Sequence, residues 1–147
     1  IFGGLLGGAT TDRLVNAYGL RWGRRLPGMI AGCCACLLYL TAPYLHDLWL
    51  FVGVMIAISF TIDFGLGASW ASYQDIGGRH VASVLGVGNT WGNLGAAVFA
   101  WLIGFLAQQK QWNTVFMIAA IAMAINAILW SQFDATRPVV REGEAPA

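Results

Sequence analysis

The sequence predicts an all-α membrane protein that crosses the bilayer several times. Of its 147 residues, 58% are hydrophobic and 10% are charged, whereas a soluble domain carries roughly 25% charged residues. Its uncharged stretches reach the length of about 20 residues that a spanning helix needs. Arginines are concentrated between these stretches, which is typical of the cytoplasmic edge of a membrane protein. Because the net charge is only +1 and the cations lie in loops, we expect no nucleic-acid partner.

The predicted elements follow the hydropathy in order and form one transmembrane bundle over residues 1–134. Residues 1–9 are apolar but too few to cross a bilayer, so we predict the end of a helix there, preceded by a missing N-terminal half. The polar residues 10–26 predict a cytoplasmic loop, and Pro27 suits the first turn of the next helix. Residues 135–147 predict a cytoplasmic tail that is disordered at its end. Four full spans are predicted at about 27–45, 48–73, 81–107 and 113–130.

The basic residues predict the orientation of this bundle. Lys110 is expected on one side of the membrane, and the other seven basic residues on the opposite side. The positive-inside rule then places the first loop, the middle loop and the C-terminus in the cytoplasm, in a multi-pass protein of the cell membrane. The seven residues are Arg13, Arg21, Arg24, Arg25, Arg79, Arg137 and Arg141.

The second span carries an acidic residue, Asp63, within an otherwise apolar helix. Inserting an aspartate into a spanning helix costs roughly 2.5–3.5 kcal/mol, so the side chain is expected to face protein or water. Two interpretations remain open: a structural hydrogen bond between helices, and a role in transport. Residues at three- and four-residue steps share the helix face of Asp63: Ser59, Gly67, Trp70 and Gln74.

The third span has small and polar residues along one face and bulky residues elsewhere, which predicts close packing or a wet cavity. Together with Asp63 and Asn126, its asparagines are expected between the membrane midplane and the inner third. A central substrate cavity requires such a layer, but a buried hydrogen-bond network between helices would produce it too. The stripe comprises Gly86, Asn89, Asn93, Ala97, Ala100 and Gly104.

The first loop brings opposite charges to the ends of two helices. Asp12 and Arg13 follow the first apolar segment, and Arg24 and Arg25 precede the second. One interpretation is that the arginines only anchor the loop at the membrane surface. The spacing of Gly8, Asp12 and Arg13 favours the other, a latch between two helices on the inner side.

Two motifs resemble known transporters. Gly8-x-x-x-Asp12-Arg13, followed by Gly23-Arg24-Arg25, resembles the loop motif in the second half of the major facilitator superfamily, where it joins the eighth and ninth helices. The segment Trp70-Ala-Ser-Tyr-Gln-Asp75-Ile-Gly-Gly, with Gly86-x-x-Asn89-x-x-Gly92-Asn93-Leu-Gly95, resembles the anion:cation symporter family. Ala100 departs from that family, which often has a proline after the Asn-Leu-Gly run.

The resemblance implies the C-terminal six-helix half of a major facilitator fold, here the end of one helix and four full helices. It implies transport of a small organic anion, such as a sugar acid or hexuronate, by alternating access. Symport with protons is expected, with sodium as the alternative ion and no cofactor or metal. The partners would be the lipid bilayer and the N-terminal half, which would supply the coupling carboxylate and the anion-binding arginine.

The site residues follow from the resemblance together with the helix faces. The predicted substrate-binding residues are Trp70, Asn89, Asn93 and Asp63. The predicted cytoplasmic gate comprises Asp12, Arg13, Arg24, Arg25 and Asp75. Two alternatives stay open: a sugar or drug carrier of the same superfamily, and a membrane scaffold protein without transport activity. An enzyme is not expected, because the sequence has no nucleophile paired with a base and no metal-ligand spacing.

Overall fold

The computed structural model describes residues 2–139, and within them it contains four long α-helices, two short 3-10 turns and no strand. Three stretches of this described part, 2–44, 48–108 and 112–132, are long and apolar enough to cross a membrane. The predicted all-α membrane fold is confirmed. The helices are α1 (Phe2–Thr41), α2 (Leu48–Gly77), α3 (Val81–Gln108) and α4 (Trp112–Gln132).

Helix α1 corrects the predicted loop at 10–26, because those residues are helical except at one point. Gly19 has φ 79° and ψ 168°, and this conformation divides α1 into a first part, 2–18, and a second part, 20–41. A Cβ atom added to Gly23 would lie 2.5 Å from Val15 Cα, although a straight helix separates residues eight apart by about 12 Å. The chain therefore turns back at Gly19. Hydropathy locates the edge of the lipid, but helical hydrogen bonding continues beyond that edge.

The first part of α1 packs backbone to backbone against α2. A Cβ atom added to Gly3 would lie 2.6 Å from the Phe60 carbonyl oxygen, and one added to Gly67 would lie 2.6 Å from the Gly8 nitrogen. Gly3, Gly7 and Thr11 recur at four-residue steps and are all buried. Such stripes of small residues let membrane helices approach closely, because lipid supplies no hydrophobic force between helices.

The second part of α1 packs against α4 in the same manner. Gly28 lies under the indole ring of Trp130, and a Cβ atom added to Gly32 would lie 3.0 Å from Ala127 Cβ. At the other end of these helices, Phe116 of α4 packs its ring edge against Phe51 of α2 at 6.1 Å between centroids. The core of the described chain is therefore the junction of α1, α2 and α4.

Helix α3 lies at the periphery of this core. Leu106 is the buried residue along its length, and its polar stripe is exposed. Its bulky stripe is exposed too and comprises Val87, Trp91, Leu94, Val98, Trp101 and Phe105. It contacts α2 through Gly88, where an added Cβ atom would lie 2.6 Å from the Tyr73 hydroxyl oxygen. Both faces of α3 are thus left largely uncovered by the described residues.

The segment that follows α4, at the start of the predicted tail, packs against the rest of the bundle. Residues 135–139 are described, Ala135 is only 2% exposed, and the Val139 N–H donates to the Ile76 carbonyl oxygen at 2.9 Å. The tail residues 140–147 lie outside the described part. The short run therefore reaches the end of α2, where this backbone hydrogen bond holds it.

Candidate functional site

Arg24 joins three helical segments at one end of the bundle, here called the arginine end. Its Nε atom donates to Asp75 Oδ2 at 2.7 Å, and its Nη1 atom donates to Asp12 Oδ1 at 3.3 Å. The Arg24 side chain is 10% exposed and that of Asp75 is 20% exposed, whereas that of Asp12 is 76% exposed. One largely buried guanidinium therefore links the first part of α1, the second part of α1 and the end of α2.

The local sequence explains this arrangement. Asp12 and Arg24 are twelve residues apart and would be separated by about 18 Å along a straight helix; the reversal at Gly19 brings them together. Asp75 occupies the last turn of α2, where the negative end of the helix dipole disfavours a carboxylate. Arg24 offsets that unfavourable position.

The two ion pairs of Arg24 differ in strength. Exposed pairs such as Arg24–Asp12 typically contribute about 0.2–1 kcal/mol. Removing one partner from a buried pair costs about 3–5 kcal/mol, because the other charge stays buried without compensation. The Arg24–Asp75 pair lies nearer this second case, so it is the stronger of the two links.

Arg25 has a different role from its neighbour. Its Nε atom donates to the Phe133 carbonyl oxygen and its Nη2 atom donates to the Gln132 carbonyl oxygen at 3.2 Å. Its guanidinium carbon lies 5.6 Å from the centre of the Trp22 ring. Cations bind favourably to the exposed carbonyls that end a helix. Arg25 thus holds the end of α4, while the other predicted gate residue, Arg13, is exposed and outside the Arg24 ion pairs.

A second ionic cluster surrounds Asp134, which is outside the predicted site residues. Its carboxylate lies 3.6 Å from Arg21 Nε and 3.6 Å from Arg137 Nε. Hydrogen bonds from the hydroxyl and backbone N–H of Thr136 lower the pKa of Asp134, and the two arginines lower it further. The spacing of Asp134 and Thr136 directly after a helix is a turn signal, which indicates the local turn but not the contact with Arg21.

The predicted substrate-binding residues lie in different surroundings. Asp63 is half-buried against the first part of α1, where a Cβ atom added to Gly3 would lie 2.7 Å from its Cβ. Trp70 is 49% exposed. Asn89 and Asn93 are exposed on α3, and the Asn93 amide donates to the Asn89 carbonyl oxygen at 2.9 Å.

Two adjoining cavities are present, one of about 210 Å³ between α2 and α4 and one of about 160 Å³ among α1, α2 and α4. Both are lined by Ser69, Asn126 and Trp130, and none of the four predicted substrate-binding residues lines either. Successive residues of a helix point about 100° apart, so Ser69 and Trp70 face different directions. These cavities therefore lie on a different side of α2 from Trp70.

Comparison with known proteins gives a family and a group of relatives. The family model of the Major Facilitator Superfamily matches residues 1–147. The hexuronate transporter of Bacillus subtilis (strain 168) is 36% identical over 66 residues, which are 45% of this chain and 16% of that protein. The chloroplastic ascorbate transporter of Arabidopsis thaliana is 30% identical over 70 residues, 48% of this chain and 13% of that protein.

A third relative is also named as a transporter. Probable anion transporter 4, chloroplastic, of Oryza sativa subsp. japonica is 27% identical over 77 residues, which are 52% of this chain and 13% of that protein. The matched segments are therefore less than a fifth of the length of these relatives. No solved structure matches the chain significantly.

Proposed function

The chain belongs to the Major Facilitator Superfamily, and we propose that it forms the C-terminal half of a secondary transporter for small organic anions. It is a multi-pass membrane protein whose helices α1, α2 and α4 form one packed core. In the proposed cycle this core rocks against an N-terminal half of the same polypeptide. Alternating access of this kind is rocking or gating of one half against the other around a fixed substrate site.

The observation that carries the proposal is the position of Arg24. Its guanidinium binds carboxylates from two other helical segments at the arginine end. A largely buried cation with one strong and one weak ion pair can tie these segments together and still be released. We assign this junction as the cytoplasmic gate, because the positive-inside rule places the arginine end in the cytoplasm.

The substrate class is proposed from the relatives. The names of three of them specify hexuronate, ascorbate or anion transport, so a sugar acid or a related carboxylate is the proposed substrate. Symport with protons is the proposed coupling, and sodium is the alternative. Both the coupling carboxylate and the anion-binding arginine would then come from the N-terminal half.

Three of the proposed substrate-binding residues, Trp70, Asn89 and Asn93, are exposed on parts of α2 and α3 that the described residues leave uncovered. Trp70 is half exposed and Asn89 is exposed, and polar side chains in a spanning helix face protein or water rather than lipid. Trp70 would stack on the sugar part of the substrate, while Asn89 and Asn93 would hydrogen-bond its hydroxyls or carboxylate. Asp63 is half-buried against the first part of α1, and we include it in the proposed site because it shares the helix face of Trp70.

Uptake by the whole transporter in proteoliposomes tests the site. Trp70→Ala and Asn89→Ala are expected to reduce hexuronate uptake by at least about tenfold, which corresponds to losing roughly 1.4 kcal/mol of binding. Trp101→Ala and Val98→Ala are the controls, since both residues are exposed on the bulky stripe of α3 and should retain uptake. Unchanged uptake in both site variants would remove these residues from the site.

Two further measurements test substrate and coupling. Uptake driven by a proton gradient is compared with uptake driven by a sodium gradient, and the ion that supports accumulation is the coupling ion. Neutral sugars are offered alongside hexuronates in the same vesicles. Transport of neutral sugars without transport of any carboxylate would contradict the anion proposal.

A further inference from the structure

Beyond its gate, the arginine end carries a second connection, the strap, defined as residues 133–139 after α4. We infer that the strap holds the arginine end of the bundle closed and detaches when the transporter opens inward. This inference rests on the proposed function for its direction of opening. Its contacts are separate from those of Arg24.

The strap binds the second part of α1 through two arginines. Arg25 donates to the carbonyl oxygens of Gln132 and Phe133, which fixes the point where α4 ends and the strap begins. Arg21 Nε lies 3.6 Å from Asp134 Oδ2. The contacts span one turn of α1, so the strap begins directly beside the helix that carries Arg24.

The far end of the strap binds α2. The Val139 N–H donates to the Ile76 carbonyl oxygen at 2.9 Å, and Ile76 directly follows Asp75, the stronger partner of Arg24. Between these ends, Ala135 is 2% exposed. The strap therefore connects the same two helices as the Arg24–Asp75 pair, at adjacent positions on both of them.

A compact turn shapes the strap between its two ends. Asp134 accepts hydrogen bonds from the Thr136 hydroxyl at 2.7 Å and the Thr136 N–H at 3.2 Å, and the Arg137 N–H donates to the Asp134 carbonyl oxygen at 3.3 Å. The Asp134 carboxylate also faces Arg21 and Arg137. One side chain thus organises the turn and binds α1.

These contacts are suited to reversible detachment. Thr136, Arg137 and Val139 are exposed, and Ala135 is the buried side chain of the strap after Asp134. Segments with few buried apolar contacts and with solvent-exposed hydrogen bonds open at a low free-energy cost compared with the core of a protein. A strap that buried several large side chains would instead stay attached through the cycle.

Hydrogen–deuterium exchange of the whole transporter tests the inference without any substrate. Exchange is followed in two segments: the strap and the end of α2 at 74–77. Asp134→Ala removes the organising carboxylate, and we expect exchange to rise about fivefold in both segments, the size expected from losing an exposed ion pair. Ser131→Ala is the control, because the Ser131 hydroxyl donates within α4 to the Ile128 carbonyl oxygen, and it should leave exchange unchanged.

Coupling between the gate and the strap is also tested by changing the gate and measuring the strap: Arg24→Gln should raise exchange in the strap. Arg21→Gln provides a second route to detachment in case Asp134→Ala folds poorly. Two outcomes would overturn the inference. The first is strap exchange in Arg24→Gln that equals that of the wild type. The second is faster exchange in the strap without any increase at 74–77, in both Asp134→Ala and Arg21→Gln. Failure of hexuronate uptake with these exchange results intact would contradict the proposed function alone.

Discussion

A methyl group at Gly67 is predicted to separate α2 from the first part of α1. A Cβ atom at Gly67 would lie 2.6 Å from the Gly8 nitrogen and 2.9 Å from the Gly7 carbonyl carbon, whereas ordinary contact begins at 3.4 Å. The contacted atoms are backbone, so no side chain can rotate away, and the helices must move apart by 0.8 Å, the difference between 3.4 and 2.6 Å. Overpacking of this kind costs about 1–3 kcal/mol.

The matched control is Gly53→Ala on the same helix. Nothing lies within 4 Å of a Cβ atom at Gly53, so the substitution should gain the roughly 0.5–1 kcal/mol by which alanine exceeds glycine in a helix. Thermal unfolding of the detergent-solubilised transporter, followed by intrinsic fluorescence, compares the two variants. A Gly67→Ala protein as stable as Gly53→Ala would refute the close packing inferred between α1 and α2.

Three further outcomes are expected. Gly28→Ala should lower the thermal stability of the transporter because the added methyl overlaps the indole of Trp130, and Trp130→Leu in the same chain should restore part of the loss. Arg24→Gln should destabilise the folded transporter by about 3–5 kcal/mol because Asp75 stays largely buried without its cation, and Arg24→Gln with Asp75→Asn should be less damaging in the same unfolding assay. Because the pKa of Asp134 is lowered in the folded protein, its stabilising effect is present above its unfolded value near 3.9 and is lost only as pH falls below that value. Strap exchange, corrected for intrinsic rates, should therefore be the same at about pH 8 and about pH 5, and a rise at about pH 5 would contradict this assignment.

Three of the five residues of the predicted gate are in contact in the structure. Asp12, Arg24 and Asp75 were predicted from charge, spacing and resemblance, and the structure brings their side chains together. Arg25 was grouped with them because it adjoins Arg24, yet adjacent residues of a helix point about 100° apart. It reaches the end of α4 instead. Sequence adjacency thus predicted the cluster but not the partner of each arginine.

The residues that line the cavities show a second limit of prediction from the sequence. Asn126 was predicted in a polar layer and lines both cavities, but Ser69 was not singled out. Serine is common in membrane helices, where its hydroxyl can donate to a carbonyl of its own helix, as Ser69 does to Gly65. Only the neighbouring helix decides whether such a residue also lines a cavity.

The sequence alone determined the membrane environment, the helical class and the family, because these depend on composition, period and local motifs that each segment carries by itself. The tertiary structure decided that α1 turns at Gly19 rather than in a long loop and which segments Arg24 and Arg25 hold. It also decided that residues 133–139 bind the start of the second part of α1 and the end of α2. These features depend on contacts between residues far apart in the chain. Such contacts are governed by helix rotation and close packing, which no single segment encodes.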